Sequence, residues 1–140
     1  MFCPKEKFCT QGNMNKKENH LEWFKKANED EKAADVLFAD GGVFSVVCFL
    51  SQQASEKYLK GALVFYEKKF HKTHDLITLE NLLAEKLAEV KNFHEEFAAL
   101  NRYYIETRYP GDFPEFTEKE AKSALIATKK IKELILSKVA

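Results

Sequence analysis

The chain has 140 residues, 45% hydrophobic, 31% charged and 13% aromatic, with 22 lysines and arginines against 22 aspartates and glutamates. A chain of this length buries roughly two-thirds of its unfolded surface and reads as one domain that needs no metal or disulfide staple. The charge balance excludes a strongly basic nucleic-acid binder. No apolar run approaches the ~18 residues of a membrane span. The first twenty residues carry no secretion-signal run, so the expected compartment is the cytoplasm.

Cys3, Cys9 and Cys48 are an odd, scattered set and make no disulfide framework. Cys3 and Cys9 have no downstream histidine or cysteine pair for zinc, and Cys48 sits in an apolar stretch as a small buried hydrophobe. Residues 1–18 read as a flexible arm, and 19–140 as one domain.

Gly41-Gly42 is the first break in the pattern, and Pro110-Gly111 with Pro114 the second. Between them apolar residues recur at helical spacing, and nothing reads as a strand. The first helix is expected over about His20 to Asp40, striped by Trp23, Ala27, Ala34, Leu37 and Phe38 and stopped by the glycines. The second is expected over about Phe44 to Lys69, with Val47, Leu50, Ala54, Tyr58, Gly61 and Phe65 following one another. A turn, HKTHD, leads to a shorter helix carrying Leu76, Leu79, Leu83 and Leu87, capped by Asp75 or Thr78. A further helix over about Lys91 to Thr107 is striped by Phe93, Phe97, Leu100 and Tyr104 and ended by Pro110. The last begins at Thr117, whose spacing to Glu120 makes a capping box. These elements predict an all-α fold, an antiparallel up-and-down bundle of four long helices plus one short helix.

Gln53, Glu56, Lys57 and Lys60 line one strip of the second helix. That strip is either a solvated face with an ordinary Glu56–Lys60 pair or a polar groove lining a ligand site, and spacing alone does not separate the two. Arg108 continues the seam of its helix to the point where Pro110 ends it. Its guanidinium suits a carboxylate or phosphate, and equally suits the last carbonyls of its own helix. The aromatics around it, Tyr103, Tyr104, Tyr109, Phe113 and Phe116, are either core or a stacking surface. His71 and His74 make an H-x-x-H pair in a turn; without further ligands the pair indicates no metal, and His74 with Asp75 is expected to tie down the turn. His20 and His94 are expected at the surface. No Gly-rich phosphate loop, G-x-S-x-G elbow or cysteine placed with a base occurs.

Three segments, FLSQQASEKYLKGAL (49–63), THDL (73–76) and ETRYPGDF (106–113), together closely resemble HEPN domains, a family named for nucleotide binding in higher eukaryotes and prokaryotes. The resemblance covers about residues 20–138 and implies an antiparallel helical bundle. It also implies a homodimer partnered with a minimal nucleotidyltransferase in a two-component, toxin–antitoxin type system. RNase members of the family place a histidine a few residues after an arginine. Arg108 is followed by YPGDFPEF and Arg102 by YYIETRYP, neither containing one. Proton transfer near neutrality needs such a group, so no catalytic residue is assigned.

The expected function is therefore a nucleotide-binding or partner-binding HEPN subunit without its own catalytic centre. On this reading Arg108 contacts a phosphate or a partner carboxylate, Tyr104 and Tyr109 flank the ligand, and Asp112 orients Arg108 or a ribose hydroxyl. Lys57 and Lys60 add positive charge, Gln53 and Glu56 line the strip, and His74 stands nearby. The implied ligand is a nucleotide such as ATP, with RNA less supported; no cofactor, metal or membrane is expected. One alternative is an RNase with a non-standard site, in which Tyr104, Tyr109 or His74 from across a dimer replaces the missing base. Another is a scaffold that docks a nucleotidyltransferase through an exposed apolar face.

Overall fold

The structure is a computed structural model that describes residues 16–106 and 116–139. Arg108, Tyr109 and Asp112 lie outside the described residues, as do residues 1–15 of the expected arm. Helix α1 (Lys16–Asp40) ends where Gly41 takes φ 89 and its N–H meets the Phe38 carbonyl at 3.0 Å. Only a residue without Cβ adopts that conformation freely. Val43, at φ 53, then enters α2 (Phe44–Phe65) in a left-handed conformation that strains a β-branched side chain.

Helix α2 stops at Phe65, short of the expected Lys69, although no glycine stands there. Glu67 takes the left-handed position itself, at φ 60. Its N–H bonds the Val64 carbonyl at 3.0 Å, and the Lys68 N–H bonds that of Leu63 at 2.9 Å. That pair of bonds is the Schellman closure usually given to glycine.

Helix α3 (Leu76–Ala84) is capped by Asp75, whose Oδ1 accepts from the Ile77 N–H at 3.0 Å. The arm expected as one helix over 91–107 is built in pieces: a 3-10 helix (Ala88–Phe93), α4 (His94–Asn101) and α5 (Tyr103–Glu106). The interruption at Arg102 lets three successive bulky side chains part ways. Arg102 reaches Glu120, Tyr103 enters the core, and Tyr104 stacks elsewhere. Helix α6 (Glu118–Val139) opens with the expected capping box: the Glu120 N–H donates to Thr117 Oγ1 at 3.1 Å, and the Thr117 N–H to Glu120 Oε1 at 3.3 Å.

Cross-helix pairs fix the directions. Lys57 meets Asp30 while Gly61 abuts Phe24, so α1 and α2 run antiparallel. Lys129 meets Glu31 and Lys132 meets Asn28, setting α6 against α1; Lys130 meets Glu96 and Lys138 meets Glu89, setting it against the segmented arm. The result is the expected up-and-down bundle. Helix α2 is its centre, packed on by α1, α3, α5 and α6, and most of its residues are buried. At Gly61 an added Cβ would come within 2.5 Å of Phe24 Cε1, so glycine here permits the close approach of α1 and α2. Cys48 is fully buried; burial, with the charge of Glu120 adding, pushes its thiol up to about 12.

Position 31 continues the Ala27–Ala34 stripe of α1 into the core, yet carries a carboxylate. Glu31 accepts from Tyr58 Oη at 2.9 Å and Lys129 Nζ at 2.9 Å, with Lys132 Nζ at 3.3 Å. Burial would raise this carboxyl, but the Lys129 and Tyr58 hydrogen bonds and the Lys132 charge together hold it below the usual carboxylate range. The cluster ties α1, α2 and α6 at one point. Among the described residues no helix is long and apolar enough to cross a membrane.

Candidate functional site

Because α2 is covered on so many sides, its polar strip is enclosed with it. Gln52, Gln53, Glu56 and Lys60 are all buried, Lys60 completely. The solvated-face reading fails for Gln53, Glu56 and Lys60, which the centre of the bundle encloses, while Lys57 stays partly exposed and the expected Glu56–Lys60 pair forms. A buried charge is tolerated when it is paired and hydrogen-bonded, and Glu56 supplies the pairing. Its Oε2 accepts from Lys60 Nζ at 2.9 Å, and its two oxygens lie 3.0 and 3.1 Å from Nδ1 of His74. Gln53 Nε2 donates to Gln52 Oε1 at 2.7 Å, and Gln52 Nε2 donates to the His74 carbonyl at 3.1 Å. The Lys60 ammonium also stands 5.6 Å from the Trp23 ring centroid and 6.0 Å from that of Phe70, within reach of both π faces. Burial would raise the Glu56 carboxyl; the His74 hydrogen bond and the Lys60 ammonium reverse this and hold it below its ordinary value.

The turn that carries His74 is pinned from two sides. Asn101, at the end of α4, donates through Nδ2 to Asp75 Oδ1 at 2.8 Å, and its Oδ1 accepts from the Leu76 N–H at 2.8 Å. Asp75 also accepts from Thr78 Oγ1 at 2.8 Å. Burial would raise Asp75, but these donors, with the Ile77 N–H, hold it low. The imidazole is positioned just as firmly. Its face lies on Tyr104 of α5 with centroids 4.1 Å apart and planes at 16°, and Tyr104 in turn stacks on Phe49 at 6.2 Å. An ionised carboxylate only accepts, so Nδ1 carries the hydrogen toward Glu56. Nε2 is left as the working nitrogen, an acceptor in neutral imidazole and a donor once protonated. The His74 side chain keeps 26% of its surface accessible, against 0% for Lys60. It is the member of the triad that a ligand can reach.

Of the residues singled out in the sequence, the structure gathers Gln53, Glu56, Lys60, His74 and Tyr104. Lys57 leaves the group: its ammonium bonds Asp30 of α1 at 2.6 Å. His74 meets Tyr104 within its own chain, with no second copy needed. Gln52 was missed; its place one residue before Gln53 and one helical turn before Glu56 was the available signal. Of the two histidines expected at the surface, one needs correction. His20 is buried, edge-on to Phe24 at 5.6 Å and Phe65 at 5.1 Å, because the end of α2 covers it. His94 is at the surface, but its Nδ1 lies 2.9 Å from the buried Glu80 carboxylate, which also draws Lys91 Nζ to 3.6 Å. Among the described residues no three His, Cys, Asp or Glu side chains gather as a metal ion requires.

Residues 20–139 match the family model of the HEPN domain. The chain is similar to the crystal structure of TT1696 from Thermus thermophilus, at 28% identity and a TM-score of 0.76, covering 85% of this chain and 97% of that one. It is also similar to the crystal structure of ST0689, described as an archaeal HEPN homologue, at 26% identity and a TM-score of 0.69, covering 86% and 98%. No curated protein matches the chain.

Proposed function

Since this chain belongs to the HEPN domain family, we propose that it acts as a binding subunit, taking a nucleotide and docking a minimal nucleotidyltransferase, rather than as a self-contained catalyst. The observation that carries this reading is the His74 imidazole, fixed by Glu56 and Tyr104 yet accessible. Tyr104 lies four positions before Arg108 in the sequence. In this reading Arg108 and His74 take the phosphate, Tyr104 and Tyr109 flank the ligand, and Asp112 orients the guanidinium or a ribose hydroxyl. Lys60 contributes by balancing Glu56, not by touching the ligand. Exposed Val36, Val43 and Val46, near the α1–α2 turn, supply an apolar surface for a partner or a second copy.

Titration of the purified protein with ATP, GTP and oligonucleotides tests the ligand role. Nucleotide binding weakened by Arg108→Ala and by His74→Gln is expected; binding untouched by both removes the role. Co-purification with a co-expressed nucleotidyltransferase tests the docking role.

A second reading, an RNase with a non-standard site, is favoured by the same histidine. An imidazole held by a carboxylate is the proton-transfer group that the residues after Arg102 and Arg108 lack. RNA cleavage by the wild type, lost in His74→Gln, would select it over the binding subunit.

A further inference from the structure

The charges of the triad do not balance in every protonation state. Glu56 carries one negative charge and Lys60 one positive charge, bonded to each other at 2.9 Å in the interior. With His74 neutral the cluster sums to zero. A proton on His74 adds a positive charge that Glu56 cannot cancel, because Lys60 already does. That charge appears on the accessible member, and its Nε2 then becomes a donor.

The other groups facing this imidazole do not alter the sum. Asp75, beside it in the turn, is committed to Ile77, Thr78 and Asn101. Tyr104, from α5, presents its ring. Lys57, the remaining cation of the α2 strip, is held by Asp30 of α1. His71 and Lys72 of the same turn are exposed to solvent.

We propose that Glu56, Lys60 and His74 form a proton-gated anion site that takes the phosphate of a nucleotide at His74 Nε2. The inference rests on the binding reading above and gives its site a chemistry and a condition: anion and proton arrive together. By linkage each favours the other equally. Phosphate itself titrates near neutrality, so sulfate, whose charge stays constant there, is the diagnostic probe. ATP and adenosine serve as the nucleotide with and without phosphate.

Affinity for sulfate and ATP is measured from about pH 5.5 to about 8.5, the range in which imidazoles titrate, while the His74 ring protons are followed by NMR. Sulfate affinity is expected to fall by up to about tenfold per pH unit on the alkaline side. Saturating sulfate is expected to move the His74 titration midpoint upward while leaving those of His71 and His94 in place. His74→Gln, checked for folding by its denaturation curve, is expected to abolish the pH slope; adenosine is expected to show none. ATP binding with a flat sulfate profile and an unmoved His74 midpoint overturns the inference and leaves the binding reading standing. Failure of both ATP and sulfate to bind at any pH overturns the inference and the nucleotide role together.

Discussion

Two buried carboxylates, Glu31 and Glu56, solve one electrostatic problem in different ways. Each is enclosed by helices, and each is held below the ordinary carboxylate range despite burial. Around Glu31 the cations come from the surface: Lys129 and Lys132 reach over from α6 and keep part of their side chains in water. Around Glu56 the cation is sealed inside, and the group that reaches water is a histidine. A lysine at the rim keeps its charge throughout the physiological range, so the Glu31 cluster is a permanent clamp. At Glu56 the group at the rim is an imidazole, which offers a second ring nitrogen besides the one bonded to the carboxylate. The two carboxylates thus differ in which partner faces solvent.

The largest effect should come from breaking the sealed pair. Glu56→Ala leaves the Lys60 ammonium buried and unpaired and should cost about 3–5 kcal/mol in urea denaturation. Replacing both partners, Glu56→Leu with Lys60→Met, should recover most of that loss, because the penalty is the orphaned charge. If the single and double variants are equally unstable, the pair is not the cause. Glu31→Ala should cost less, about 1–3 kcal/mol, chiefly for the buried Tyr58 hydroxyl left without an acceptor; Lys129 and Lys132 simply return to water.

The pH dependence sharpens the contrast. Both carboxyls have lowered folded-state values, so both clusters stabilise above the unfolded carboxylate range and lose that contribution as pH falls through the folded values. Lys129 is shifted the other way: burial would lower it, but its hydrogen bonds to Glu31 and Asp35 raise it. Its contribution is complete below the ordinary lysine value and fades as pH rises through the folded one. Denaturation midpoints against pH should therefore show an acid loss that Glu31→Gln reduces, and an alkaline loss that Lys129→Met removes. The smallest effect is a control remote from both clusters. Val43→Asn, relieving a left-handed β-branched residue, should raise stability by about 1 kcal/mol; no gain would show that the α1–α2 turn tolerates valine without strain.

Much of the architecture was legible because it is written in local chemistry. Gly41 marked the end of α1, Asp75 the start of α3, and the Thr117–Glu120 box the start of α6. The end of α2 was not legible, because Glu67 adopts a conformation that side-chain chemistry does not announce. The break at Arg102 was equally hidden, since three large residues in a row say nothing of which one turns inward. At the site, Gln53, Glu56 and Lys60 could be placed on one strip, and His74 on a turn, but not together.

The order and identity of the helices, their caps and the apolar seams followed from residues within a few positions of one another, where spacing and side-chain chemistry suffice. Whether a polar strip faces water, that His74 joins the Glu56–Lys60 pair, and which nitrogen of His74 faces the carboxylate were decided only by folding. Those properties depend on α1, the 71–75 turn and α5 converging on α2 from distant parts of the chain, and burial and charge balance exist only once they have done so.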